Sequence, residues 1–326
     1  MRVLITGIAG FVGSHLVDFL QRLPDPPDVY GLIKPRGTLP ELPASVALVE
    51  ADLEDAPSVE RALDAAAPDR IVHLAAQSSP QLSWADPSGT YRTNVLGLLN
   101  ILEAVRKRGL SPRTLVVGSA EEYGLPSAED LPLREDAPLK PQSPYASSKV
   151  AQGYLALQYA LAYRLPIIRT RTFHHTGSRR GEAFAESSFA RQIAEIEAGL
   201  RPPVVHVGNL DAVRDFTDVR DVLRAYWLLM ERGQPGEVYN VCSGRGLRIG
   251  DLLDLLIRMS GMDIEVRVDP QKVRKAEIPE VIGDRTRITT ATGWEPDVPL
   301  ERTLGFLLEG WRARARASVQ PVHPPR

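Results

Sequence analysis

A short apolar strand running straight into a glycine turn constrains this chain more than any other feature. Arg2-Val3-Leu4-Ile5-Thr6 is followed at once by Gly7-Ile8-Ala9-Gly10-Phe11-Val12-Gly13, a G-x-x-G-x-x-G spacing, and then by an amphipathic stretch over residues 11–22. In such a turn the first glycine permits the tight reversal, the second lets the backbone approach a ligand, and the third lets helix pack on strand. A helix beginning there aims its unpaired N–H groups at whatever lies over the turn, which favours an anion such as a dinucleotide pyrophosphate. Thr6, Gly7, Gly10, Phe11, Val12 and Gly13 are therefore candidate cofactor contacts. The same opening has the charge and apolar run of a secretion signal, but Gly7 breaks the run too early for one.

The rest of the first half repeats the strand–helix theme. Apolar runs at 29–33, 46–50, 70–74, 114–118 and 165–172 alternate with helical patterns at 59–66, 90–107 and 144–163. Continuous Val/Ile/Leu runs separated by helices predict a parallel sheet covered on both faces. Such a sheet binds its ligand at the carboxyl ends of its strands. The expected fold is α/β: a Rossmann-type, doubly wound parallel sheet over residues 1–173, with a smaller mixed α/β substrate lobe over 174–312. In the lobe a polar stretch, 174–186, precedes a helix at 188–198 and short segments at 204–207, 219–229, 237–241, 249–259 and 264–268. Two of these, 219–229 and 237–241, are candidates to return to the sheet. Residues 313–326 are basic and then proline-rich, and read as a flexible tail.

Composition narrows the function. The 326 residues are 43% hydrophobic and carry a net charge of -2, which supports a sizeable core and gives no footprint for nucleic acid or an anionic membrane. A single cysteine, Cys242, can form neither an internal disulfide nor a metal cluster. No apolar run approaches the roughly 20 residues that span a bilayer. A cytoplasmic protein with no metal, no nucleic acid and no membrane partner is expected.

Where the second strand ends, Gly31-Leu32-Ile33-Lys34-Pro35-Arg36 offers two cations and no carboxylate. That favours the 2′-phosphate of NADP(H) over the 2′-hydroxyl of NAD(H), NAD(H) remaining possible; the other reading of Lys34 and Arg36 is a solvated basic loop. Asp52 and Leu53, after the third strand, suit the adenine. Leu74, Ala75 and Ala76 give the small side chains that a closely lying dinucleotide, or tight helix packing, requires.

The chemistry centres on Tyr145-Ala146-Ser147-Ser148-Lys149, just after Pro144. Tyrosine and lysine at i, i+4 share a helix face. A phenol near its free pKa of ~10 is a poor base at neutral pH, and a neighbouring ammonium is expected to bring it down. The pair could then move a proton to or from an alcohol oxygen as hydride is exchanged. One strand earlier, Gly118-Ser119-Ala120-Glu121-Glu122 places Ser119 to hydrogen-bond the same oxygen and Glu121 to act as a second acid or base. The alternative is that Glu121 and Glu122 are loop carboxylates in water. His73, inside a strand, reads as a packed core residue.

Together these motifs resemble the extended short-chain dehydrogenases that modify nucleotide sugars, over residues 6–311. Residues 207–221, with Tyr239-Asn240-Val241-Cys242-Ser243-Gly244 and Thr292-Gly293-Trp294-Glu295-Pro296, look like the GDP-4-keto-6-deoxy-mannose reductases; the GDP-mannose 4,6-dehydratases share much of the pattern. The resemblance implies that Asn94 contacts cofactor and that Tyr145 and Lys149 transfer protons. Ser119 and Glu121 fall where dehydratases carry a hydroxyl residue and a glutamate. The resemblance further implies Arg214 and Arg274 on a substrate diphosphate, Glu277 on the nucleoside ribose, and Ser78, His174 and Asn209 near substrate. His174 stands where an asparagine is usual, which bears on the hexose preference. Arg179-Arg180-Gly181-Glu182 resembles a dehydratase loop that binds cofactor across a subunit interface, or is an exposed basic turn.

The implied activity is reduction of GDP-4-keto-6-deoxy-D-mannose to a GDP-6-deoxyhexose of the GDP-rhamnose type. The alternative is a GDP-mannose 4,6-dehydratase using Ser119 and Glu121. A nucleotide-sugar 4-epimerase and a non-catalytic dinucleotide sensor are the remaining readings. The partner expected is the GDP-sugar, with assembly into a homodimer or homotetramer through helices 90–107 and 144–163.

Overall fold

The computed structural model describes residues 1–35, 42–272 and 278–319. In chain order the strands are β1 (Arg2–Thr6), β2 (Asp28–Ile33), β3 (Ala47–Glu50), β4 (Arg70–His73), β5 (Arg113–Ser119), β6 (Ile167–Thr172), β7 (His174–Thr176), β8 (Val204–Val207), β9 (Val213–Asp218), β10 (Val238–Val241), β11 (Gly246–Arg248), β12 (Glu265–Val268) and β13 (Glu280–Val281). The helices are α1 (Phe11–Leu20), α2 (Ala56–Ala66), α3 (Pro80–Ala85), α4 (Pro87–Tyr91), α5 (Gly97–Lys107), α6 (Pro144–Tyr163), α7 (Ala185–Glu197), α8 (Val219–Arg232), α9 (Ile249–Ser260), α10 (Thr286–Thr292) and α11 (Leu300–Val319).

Seven strands form one all-parallel sheet in the order β10-β6-β5-β4-β1-β2-β3. Alternation along each strand feeds two separate cores. Val3, Ile5, Val72, Leu115 and Ile168 meet α1 and α8 on one face. Leu4, Ile71, Val116 and Ile167 meet α2, α5 and α6 on the other. Both faces are thus covered by helices, the Rossmann arrangement that continuous apolar runs predict.

The strand order reverses between β1 and β4, the point in such a sheet at which a crevice opens beyond the carboxyl ends of the strands. The later strands form a small mixed sheet, β11-β9-β13, with β7 also beside β9, and a two-stranded pair, β12-β8. Around them α7, α9 and α11 close a third core. Segment 238–241 lies in the main sheet as β10, parallel to β6, and α8 packs on the same sheet.

Two expectations need correction. Residues 313–319 are not a flexible tail: α11 runs on to Val319. Leu304, Leu307, Leu308, Trp311 and Ala315 recur at helical spacing and pack into the third core, while Arg314 and Arg316 are exposed and Arg312 pairs with Glu197 of α7. Residues 320–326 lie outside the described residues. The helix expected at 90–107 starts earlier, as α4, and passes through a π turn, Arg92–Leu96, before α5. The fold also contains α3 and the strand β9, whose Val-Arg-Asp-Phe-Thr-Asp sequence has neither a clean alternation nor an apolar run.

Candidate active site

The carboxyl ends of the strands open into a cleft of about 610 Å³. Its phosphate end is built by the glycine turn. Gly7 sits at φ 71°, and a Cβ there would lie 2.8 Å from the Ala75 nitrogen. A Cβ on Gly13 would run into the Gly7 carbonyl. Gly10 caps α1 without a side chain, and the first turn of α1 carries no acidic residue, so its N–H groups face the cleft uncapped. Thr6 ties the two halves of the turn together: the Ala75 N–H donates to Thr6 Oγ1 (3.1 Å), which also hydrogen-bonds His73 Nδ1 (2.9 Å). These residues fit a dinucleotide pyrophosphate.

Phe11 and Val12, with Lys34, Asp52, Leu53, Leu74, Ala75, Ala76 and Ser78, also line this cleft. Lys34 Nζ lies 3.8 Å from the Asp52 carboxylate, and both are substantially exposed. A carboxylate therefore does stand beside the end of β2, brought there in space by the end of β3. Arg36 lies outside the described residues.

The chemical end is built by α6 and β5. The Ser143 hydroxyl accepts the Ala146 N–H (3.1 Å) and Pro144 fills the first helical position, so α6 begins one residue before Tyr145. Tyr145 and Lys149 then sit one turn apart on a buried face, 8% and 4% exposed. Burial pushes the Tyr145 phenol up to about 12; the Ser119 hydroxyl and Arg180 pull it down, and Glu121 and Glu122 push it further. The lowering expected from Lys149 is not found: desolvation dominates, and the groups that pull the phenol down are Ser119 and Arg180. Lys149 itself is brought down to about 8 by burial, with Glu122 opposing. Its ammonium donates to the Val117 carbonyl (2.9 Å) and to Gln152 Oε1 (2.8 Å).

Ser119 ends β5 and caps a 3-10 turn, Ala120–Tyr123. Its Oγ accepts the Glu121 N–H (3.2 Å), and its own N–H donates to Glu122 Oε1 (2.8 Å). The adjacent glutamates part company here. Glu121 faces the cleft with Ser119, Tyr145 and Lys149. Glu122 turns inward onto Arg171 (3.0 Å) and is buried, so it is no loop carboxylate in water.

Other residues singled out in the sequence fall elsewhere. Asn94 does not line the cleft. It is fully buried in the π turn, accepting the Gln77 N–H (2.8 Å) and donating to the Gln77 carbonyl (3.1 Å) and to Ser148 Oγ (2.9 Å). The helix-face position that resembles a cofactor contact is used instead to clamp the loop after β4 onto α6. His174 lines the cleft, its ring 5.7 Å from that of Phe216. Asn209, whose Oδ1 accepts the Asp211 N–H (2.9 Å), and Arg214, which donates to the Val213 carbonyl (2.8 Å) from β9, stand outside the cleft lining. Arg274 and Glu277 lie outside the described residues. His73 is packed as expected; burial, and then Lys149, bring it down to about 3.

Among the lining residues that sequence reasoning did not single out are Thr172, His175, Phe184 and Tyr226. Tyr226 comes from α8, where it reads as one more apolar position, and its hydroxyl hydrogen-bonds Thr172 Oγ1 (2.7 Å). Arg180 is no exposed turn: its guanidinium lies over Phe184 (3.4 Å) and Phe11 (5.0 Å) and pairs with buried Glu186 (3.4 Å).

The family model described as GDP-mannose 4,6 dehydratase matches residues 4–305. The chain belongs to that family. It is similar to the GDP-6-deoxy-D-mannose reductase of Pseudomonas aeruginosa, 36% identical over 97% of this chain and 98% of that one. It is also similar to a GDP-mannose 4,6-dehydratase of Arabidopsis thaliana, 32% identical over 94% and 85%. Among solved structures, RMD from Pseudomonas aeruginosa complexed with NADPH superposes with a TM-score of 0.85 at 34% identity, covering 96% of this chain and all of that one (100%). The UDP-glucose 4-epimerase of Thermotoga maritima with UDP-glucose gives 0.87 at 31%, covering 96% and 99%. The fold of this family member is that of the extended short-chain dehydrogenases, a nicotinamide-dinucleotide architecture.

Proposed function

We propose that this protein reduces the 4-keto group of a GDP-4-keto-6-deoxyhexose with NADPH, giving a GDP-6-deoxyhexose. The observation that carries the reading is the grouping of Ser119, Tyr145 and Lys149 on the wall of the cleft that the glycine turn opens, with the buried phenol protonated at neutral pH and so able to donate to a ketone oxygen. The reductase relative supports the same direction.

Bound nicotinamide would supply hydride to the carbonyl carbon. Tyr145 gives its phenolic proton to the oxygen that becomes the alcohol. Ser119 hydrogen-bonds that oxygen, and Lys149, one turn away, keeps positive charge beside the phenolate left behind. The uncapped start of α1 and the Gly7–Gly13 turn hold the pyrophosphate, and Lys34 is assigned to the 2′-phosphate, with the Asp52 carboxylate 3.8 Å away acting against it. Arg214 is assigned to the substrate diphosphate, with Ser78, His174 and Asn209 toward the sugar.

A second reading keeps support from Glu121. A carboxylate on the cleft wall beside Ser119 and Tyr145 is what a 4,6-dehydratase needs to remove the C5 proton and assist loss of the C6 hydroxyl. One pair of incubations separates the two. The protein should oxidise NADPH, and NADH more slowly, when given the 4-keto-6-deoxy sugar. Keto-sugar formed from GDP-mannose without added reductant would instead establish the dehydratase.

We also propose a cytoplasmic homodimer or homotetramer. Tyr154 and Leu161 (71% exposed), two turns apart, leave one face of α6 apolar and uncovered, suited to a second copy. No helix among the described residues is long and apolar enough to cross a membrane.

A further inference from the structure

The catalytic floor contains a buried carboxylate that the chemistry above does not use. We propose that Glu122 is a positioning residue for this site: its side chain fixes the Ser119–Glu121 turn and supplies the counter-charge that keeps Lys149 an ammonium. The proposal rests on the reductase reading for its kinetic consequence but not for its electrostatic one.

Glu122 is 4% exposed and lies where β5, the 3-10 turn, α6 and β6 meet. Each carboxylate oxygen has a defined duty. Oε1 accepts the Ser119 N–H (2.8 Å), which closes a capping box and orients the Ser119 hydroxyl toward the Glu121 N–H. Oε2 accepts Arg171 Nε (3.0 Å). A glycine on β5 makes the room: a Cβ at Gly118 would run into Glu122 Oε1, whereas one at Gly153, on α6, would only touch Oε2 at 3.8 Å. Space is thus reserved for this side chain by the strand that ends in Ser119.

Charge balance gives the second half. Two buried cations face this pocket, Lys149 from α6 and Arg171 from β6. Arg171 is satisfied several times over: besides Glu122 it donates to Tyr123 Oη (3.1 Å) and to the Glu135 carbonyl (2.8 Å). The hydrogen bonds of Lys149 go instead to neutral acceptors, the Val117 carbonyl from β5 and Gln152 on its own helix, and the His73 ring from β4 is neutral as well. Among the described residues Glu122 is the carboxylate that favours the charged form of Lys149. Burial drives both groups toward neutrality, and their mutual attraction, with Arg171 behind Glu122, opposes it.

Lysine ε-carbon NMR across pH, on the intact protein without added nucleotide, tests this directly, with the Lys149 signal identified by its loss in Lys149→Arg. Glu122→Gln keeps the volume and an acceptor for Ser119 but removes the charge. The double variant Glu122→Met/Arg171→Met leaves neither charge alone, and serves if the single variant does not fold. The Lys149 midpoint, about 8 in the wild type, should move down by about one pH unit in Glu122→Gln, and by less in the double variant, where loss of the Arg171 cation partly offsets loss of the carboxylate. The high-pH loss of kcat should move with it, while KM for the keto-sugar stays within about twofold. A merely structural role lowers activity equally at every pH. A Lys149 midpoint unchanged in a folded variant overturns the proposal. Failure of the wild type to reduce the keto-sugar, with the Lys149 midpoint still shifted, would sink only the reductase reading.

Discussion

Tyr145 and Lys149 are held in a state that favours chemistry over stability. Replacing the phenol tests the proton donor alone: Tyr145→Phe should lower kcat by about 10²–10⁴-fold with little change in KM for the GDP-sugar. Lys149 carries a thermodynamic signature as well. Its folded value, about 8, lies below its ordinary 10.5, so between those two pH values the unfolded chain binds more protons. Its contribution therefore becomes more favourable as pH rises from 8 to 10.5, and below 8 the full cost of burying the charge is present. Lys149→Met should abolish turnover yet stabilise the protein at pH 7 by about 1–2 kcal/mol, after allowing for the two hydrogen bonds lost. A urea midpoint lower than that of the wild type would refute this.

At the scale of elements, the site depends on how loops are tied to helices. Asn94 makes three hydrogen bonds that bind the loop after β4 to α6 between Tyr145 and Lys149. Asn94→Ala leaves the Gln77 N–H and carbonyl without this partner in a buried place. It should cost about 2–4 kcal/mol in denaturant melts and reduce kcat as α6 loosens. The sequence makes the frame legible but not this clamp. The glycine turn, the apolar runs of the main sheet and the start of α6 are local signals, each written within a few consecutive residues. The role of Asn94 depends on a π turn, and a π turn leaves no mark on hydrophobic periodicity. The separation of Glu121 from Glu122 depends on a 3-10 turn that points neighbours in opposite directions. Tyr226 reaches the cleft from a helix about 80 positions beyond Tyr145. Beyond residue 312 the sequence of α11 looks like a basic tail because its arginines mask an apolar stripe that becomes visible against the third core.

For the whole molecule, acid sensitivity follows from histidines buried without charge. His73 is lowered to about 3 and His175 to about 4, mainly by desolvation. Below 6.5 the unfolded chain takes up protons that these rings refuse, so stability falls as pH drops from 6.5 toward 4. His73 alone should account for about 3 kcal/mol of that loss. Melting curves between pH 7 and 4.5 should show a steep decline that His73→Asn flattens; parallel curves would contradict it. The sheet order has a further consequence. Its edge strand β10 is contributed only after β7, β8 and β9 have passed through the other lobe. During synthesis β6 therefore waits with an open edge, and the α8 side of its sheet lacks a cover, until some 65 more residues have left the ribosome. A chain cut at residue 173 would be a fragment with a sticky border and not a small domain. Chaperone dependence during expression, more than any feature of the finished protein, is where this topology should be felt.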